Sequence, residues 1–265
     1  MIAHAGVDHV AIGVVAAAVV GVHGIAWLHG SRPSRGALWC WIGGVVGVVV
    51  ASSPWVERLA ERTFTGHMVQ HLIVILVAAP LLVLGRPVHT LMAAGWIPTT
   101  ALGRRLGGTW HRTGPILGPG LFVLVLFVTH LTAIYDDALG NRWLHELEHA
   151  AYLLSATAMW AAVLGVGRAA APARIAGVFG VIVGGSFLGM ILLAATAPLM
   201  PTYEARLGTA RALDDQRAAA ALMWVTGMVT TLPLLLLAVW RWAATEERIA
   251  RRAEALSDGV VTGPR

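Results

Sequence analysis

The sequence predicts an all-α integral membrane protein, a bundle of about seven transmembrane helices with the N-terminus outside and the C-terminus in the cytoplasm. Three observations predict it. Charged residues make up 12% of the 265 positions, where a soluble domain carries about 25%, and mean hydropathy is +0.71. Apolar stretches long enough to cross a bilayer recur along the whole chain. Arginines crowd into alternate loops.

The expected spans are 8–29, 36–53, 66–84, 117–135, 145–167, 174–199 and 217–240, one transmembrane domain over 1–242. The first stretch, opening MIAHAGVDHV, lacks a basic start and is too long for a signal-peptide core, so it reads as a retained span. Short polar pieces separate the others: GSRPSRG, PWVERLAERT, YDDALGNRW and RAAAPAR. The longer connection from about 85 to 116 holds Trp96, Trp110, Arg104 and Arg105, and part of it reads as an interfacial loop. A charged cytoplasmic tail, 243–265, ends in SDGVVTGPR, a composition typical of disordered termini. No internal repeat is visible.

Orientation follows from charge. All 19 basic residues are Arg, and 13 fall on the cytoplasmic side if the N-terminus is outside. Ten of the 14 acidic residues fall on the other side, so the outer face is acidic and suits cations or a basic protein surface. The pI near 10.6 therefore reflects loop arginines, and no nucleic-acid motif accompanies it. The single cysteine, Cys40, excludes an intrachain disulfide and a CxxC metal site; it reads as a small packing residue between Trp39 and Trp41.

Two histidine pairs carry the functional signal. His67 with His71, and His145 with His149, are each spaced i, i+4 near the outer end of a span. That spacing sets both rings on one helix face, about 6 Å apart along the axis. His130 lies about 7 Å below the expected exit of the fourth span, at a depth similar to His71 and His149. Ionisable residues within a membrane boundary point to function. Neutral imidazole is the commonest metal ligand, and thioethers tilt the choice toward Cu(I). The expected metal site is therefore His67, His71, His130, His145 and His149, with a copper ion as cargo. Met223 and Met228 are possible softer ligands, and Glu148 or Asp136 could orient a ring. His4 and His9 could join from the N-terminus. His23, His29, His89 and His111 fall toward the inner side and read as structural, and Met68 reads as turned away from the His67–His71 face.

The run His145-Glu146-Leu147-Glu148-His149 also matches H-E-x-x-H, in which Glu146 would be the general base of an intramembrane zinc protease. No third ligand or second motif supports that reading. Axial histidines on facing helices would suit a b-type haem redox protein. A scaffold without metal is a further alternative.

The stretches GHMVQHLIVILVAAPLLVLGRP, HLTAIYDDAL, WLHELEHAAYL and DDQRAAAALMW, in that order, resemble the polytopic CtaG-type cytochrome c oxidase assembly family over roughly 55–241. The combination HMxQH, HxxxxYDxAL, HxxEHxxYL and DQ…MW carries the resemblance. It implies a multi-pass protein of the bacterial plasma membrane that is not an enzyme and serves assembly of cytochrome c oxidase. Copper supply to oxidase subunits or other copper proteins would be its task, with the lipid bilayer as surroundings and no nucleic acid as partner. The family's polar marks fall on His67, Gln70, His71, His130, Tyr135, Asp136, His145, Glu148, His149, Asp215, Gln216, Met223 and Trp224. Departures fall at Thr132 and Ala161, where relatives often carry Pro, and at Ala219 and Ala220, where Gly is common.

Overall fold

The computed structural model describes residues 5–29, 34–98, 100–164 and 171–261, and no strand occurs among them. Among the described residues helices lie within each of the seven expected stretches. They are α1 (Ala5–His29), α2 (Arg35–Ala51), α4 (Phe64–Leu72) continued by a π-helical segment (Ile73–Ala78) and α5 (Ala79–Leu84), α7 (Ala101–Leu131), α9 (Arg142–Val163), α10 (Ala171–Ala194) and α12 (Thr209–Val261). Among the described residues four helical stretches are long and apolar enough to cross a membrane: Phe64–Ala93, Gly103–Leu131, Ala171–Ala194 and Thr209–Glu254. A fifth joins them if α2 and the next helix, bent by 49°, count as one span.

The polar pieces differ from the expected loops. PWVERLAERT forms α3 (Pro54–Arg62), with Pro54 at its first turn and Val56 and Ala60 buried. YDDALGNRW contributes α8 (Ile134–Gly140), and Asn141 caps α9 by accepting from the amides of Trp143 and Leu144. A further short helix, α11 (Pro201–Leu207), stops at Gly208, whose φ of 78° turns the chain into α12. Helices α3, α8 and α11 gather at one end of the bundle. There the Arg206 guanidinium donates to the Glu61 carbonyl, and Thr202 N donates to Asp136 Oδ1 at 2.9 Å. The turns expected near 30–35 and 168–174 fall largely outside the described residues, as do His4 and the His9 side chain.

The expected 85–116 loop is mostly helical. Pro87 opens α6 (Pro87–Ala93), and Thr100 starts α7 by accepting from Gly103 N at 3.0 Å. Helix α7 includes Pro115, expected in the loop, and Pro119, expected just inside the fourth span. Pro119 cannot donate to the Pro115 carbonyl. That oxygen instead faces Gly177 of α10, where any side chain would collide with it. The expected tail is likewise helical as far as Val261. Its ATEERIARRAEAL run has high helix propensity, and Trp242 Nε1 donates to Glu246 one turn on at 3.0 Å.

One irregularity positions the site. At Ala79 the backbone N–H reaches back five residues to the Val74 carbonyl, opening a π turn. Pro80 then has no N–H to offer the Ile75 carbonyl, which would be orphaned in an apolar setting. Trp160 of α9 supplies the missing donor through Nε1, at 2.7 Å. The π segment is thereby pinned to α9 directly below His71. Helix α9 also crosses α7 closely: a Cβ on Gly118 would stand 2.7 Å from the Ala158 carbonyl oxygen.

Candidate metal centre

Helices α4 and α9 carry the two histidine pairs and face each other across the short-helix end of the bundle. On α4 the buried face runs through Phe64, His67, Gln70, His71 and Val74. His67 and His71 therefore both point inward, 0% and 2% exposed, and their Nε2 atoms stand 2.6 Å apart. On α9 the buried residues include Glu148, Tyr152, Ser155, Ala156, Met159 and Trp160, and His145 and His149, in phase with Ala156 and Trp160 but nearer the start of the helix, are only half-buried. Glu148, 3% exposed, thus presents its carboxylate to the α4 pair: Oε1 lies 3.6 Å from His71 Nε2 and Oε2 3.9 Å from His67 Nε2. Neither Glu148 oxygen has a hydrogen-bond partner among the described residues. One ligand atom each from His67, His71 and Glu148 falls within 4.8 Å of the others.

The proton positions on His67 follow from its neighbours. Tyr203 OH lies 2.7 Å from the Ala60 carbonyl oxygen and 3.3 Å from His67 Nδ1. A carbonyl only accepts, so the phenol spends its one proton on Ala60. Burial pushes the Tyr203 phenol above its ordinary value, so it keeps that proton. His67 must then donate from Nδ1, which leaves its Nε2 as a lone pair facing His71 and Glu148. That is the tautomer a metal ligand needs, set by a backbone carbonyl through a tyrosine.

The expected site residues separate into groups. His67 and His71 meet, and Glu148 joins them as a facing acid rather than an orienting one. His145 and His149 form an outer layer: the His145 ring centroid is 5.5 Å from His67, and that of His149 is 5.3 Å from His71. His130 stands apart from the Nε2 pair, its Nδ1 2.9 Å from the Leu126 carbonyl oxygen and 3.1 Å from Tyr152 OH. Tyr135 is fully buried, its ring 4.6 Å from His67 and 5.6 Å from His130. Met223 and Met228 line a cavity below His71, and Met68 lines it too rather than turning away from the site.

The remaining polar marks tie helix ends. Asp215 of α12 accepts from Phe64 N at 2.6 Å and Thr65 N at 3.3 Å, so a carboxylate from another helix caps α4. Gln216 accepts from Leu199 N at 2.7 Å and donates to the Leu192 carbonyl at 3.0 Å, closing the end of α10. Gln70 donates to the Ala51 carbonyl at 2.9 Å, at the end of α2. Asp136, as above, caps α11. These four brace the bundle rather than face a ligand.

The geometry also bears on the other sequence readings. Glu146 of the HELEH run is exposed, so the acid beside the imidazoles is Glu148 and not the motif's base position. Two nitrogens of one helix at 2.6 Å leave no room for a porphyrin between them, so His67 and His71 are not an axial pair. Sequence reasoning missed Tyr203 and Tyr152. Tyr152 was legible as one turn beyond Glu148 on the same face; nothing local marks Tyr203, which arrives from a short helix distant in the chain.

The family model described as cytochrome c oxidase caa3 assembly factor, Caa3_CtaG, matches residues 15–245. An uncharacterized protein of Mycobacterium bovis is 25% identical over 242 residues, covering 84% of this chain and 36% of the relative. One of Mycobacterium leprae is 26% identical over 244 residues, covering 85% and 37%. The chain spans just over a third of the length of these curated relatives. No solved structure matches it. With a match over most of its length, the chain belongs to the Caa3_CtaG family of cytochrome c oxidase caa3 assembly factors.

Proposed function

We propose that this protein serves assembly of cytochrome c oxidase by holding copper at His67, His71 and Glu148 and passing it to an oxidase subunit or other copper protein. The observation that carries the reading is the convergence of two imidazole nitrogens and a buried carboxylate with no hydrogen-bond partner of its own. Burying such a carboxylate without compensation is costly. A bound cation offsets that cost, and imidazole with carboxylate is a donor set that copper accepts. Small side-chain rotations bring the three donors to one ion. His145 and His149, half-buried above the pair, give an entry and exit path of weaker ligands, which suits a carrier that must release its cargo.

In this reading seven helices cross the bacterial plasma membrane with the N-terminus outside. The short-helix end then faces the extracytoplasmic side, where oxidase copper centres are loaded. The role is accessory rather than catalytic. The test is copper content of the detergent-purified full chain. The His67→Ala/His71→Ala variant is expected to bind one copper per chain fewer than wild type; unchanged copper content in that double variant would refute the ligand assignment.

A further inference from the structure

Below the histidine pair, a cavity of about 70 Å³ opens within the bundle, and His71 and His130 form part of its wall. Four other lining residues are methionines: Met68 of α4, Met159 of α9, and Met223 and Met228 of α12. They are half of the eight in the chain. Met68, Met159 and Met223 are buried, and the Met228 sulfur is 3.9 Å from the Ser186 hydroxyl. Packing alone explains thioethers in an apolar core. It does not explain the imidazole that shares their cavity.

The protons around His130 follow from its neighbours. The Leu126 carbonyl, 2.9 Å from Nδ1, can only accept, so Nδ1 carries the proton. The Thr129 hydroxyl donates to the Val125 carbonyl at 3.0 Å, and the Tyr152 hydroxyl in turn donates to Thr129. His130 Nε2 is therefore a lone pair, buried, with no hydrogen-bond partner among the described residues. His71 Nδ1 is likewise without one. Buried acceptors are ordinarily satisfied, so two of them bordering one thioether-lined cavity need a physical account.

We infer that the cavity is a second metal station, in which His130 Nε2 and methionine thioethers hold a soft monovalent cation, Cu(I). The identity of the cargo rests on the copper reading above; the site itself rests on different residues. Soft thioether donors select Cu(I) over the borderline divalent ions. His71 borders both stations, with Nε2 toward His67 and Nδ1 without a partner. Passage between them is ligand exchange: bonds to imidazole and carboxylate break as bonds to sulfur and His130 form. No electron moves, and the cation keeps its charge.

The test uses the full chain in detergent with Ag(I) as a redox-inert stand-in for Cu(I). Two equivalents of Ag(I) are expected, one of them with sulfur scatterers in X-ray absorption. The Met68→Leu/Met159→Leu/Met223→Leu/Met228→Leu variant should lose one equivalent and the sulfur signal. A measurement without substitution guards against misfolding. With methyl-labelled methionine, the resonances of these four residues should shift on Ag(I) addition while those of Met92, Met190 and Met200 stay in place. A wild-type protein with no sulfur scatterers and unshifted resonances would overturn the inference and leave the first copper site standing. Conversely, a sulfur signal that persists while His67→Ala/His71→Ala binds as much Ag(I) as wild type would support the cavity site and sink the first.

Discussion

Two histidine pairs with the same spacing meet different fates. On α4, His67 and His71 lie on the centre line of the buried face and meet at 2.6 Å. On α9, the buried face takes in Glu148, Tyr152, Ser155, Ala156, Met159 and Trp160, and His145 and His149, at the outer start of that helix, are only half-buried. Spacing decides that two rings share a helix face; where the pair stands along the helix decides how far its neighbours cover that face. Here Glu148 takes the place facing the α4 pair, and the expected cluster of five imidazoles becomes two imidazoles, a carboxylate and an outer layer.

The sharpest way to break this contrast is to delete each pair. Loss of His67 and His71 removes the site. His145→Ala/His149→Ala should keep the copper stoichiometry and weaken binding by about 10- to 100-fold, the range for supporting residues. Equal loss from both deletions, measured by competition with a copper chelator, would erase the distinction between centre and rim.

The two acids of HELEH offer the next test. Glu148→Gln keeps the shape and removes the charge, and should weaken copper binding by at least about tenfold, or about 1.4 kcal/mol. Glu146→Gln, at an exposed position, should leave affinity unchanged. The reverse order would mean that α9 presents its other face.

Tyr203→Phe sharpens the account of the first pair. It removes the acceptor that holds the His67 Nδ1 proton, so the ring can take either tautomer. Nitrogen chemical shifts of the His67 imidazole should change from one tautomer to a mixture, with copper affinity falling about 10-fold. An unchanged tautomer would show that Tyr203 only packs.

Effects on stability alone should be smaller. Trp160→Phe leaves the Ile75 carbonyl of the π segment without its donor, at a cost of about 1–3 kcal/mol. Asp215→Asn keeps an acceptor oxygen but removes the negative charge at the start of α4, at a cost of about 0.3–1 kcal/mol. Thermal unfolding in detergent reads both. A larger loss from Asp215→Asn than from Trp160→Phe would place the main support of α4 at its end rather than at its π turn.

Much of the centre was legible one residue at a time. The i, i+4 pair on α4 is readable because Phe64, Val74 and Ala78 continue its buried stripe with helical period. Glu148 was readable in the same way, since it alone among the acids of α9 is in phase with Tyr152, Ser155 and Met159. From sequence alone it reads as a ring-orienting group, because the neighbouring histidines of HELEH are the more obvious ligands. In the sequence α3 and α8 read as polar connections, since their polar residues and turn signals say where a span ends, not what the chain does next. The extension of α12 to Val261 was hidden by the opposite bias, a charged composition that suggests a tail where helix propensity is high.

By itself the amino-acid order determined that the chain is apolar and helical, where its long helices lie, and that imidazoles gather near one end of three of them. Those are local properties, set by hydropathy and by a repeat of 3.6 residues. Only the tertiary structure decided which ring meets which, that Tyr203 sets the tautomer of His67, that Asp215 caps a helix 150 residues away, and that four methionines share a cavity with His130. Each of these depends on the rotation and register of one helix against another. Both are chosen by packing and by the satisfaction of buried polar groups across the whole bundle, which no short window of sequence contains.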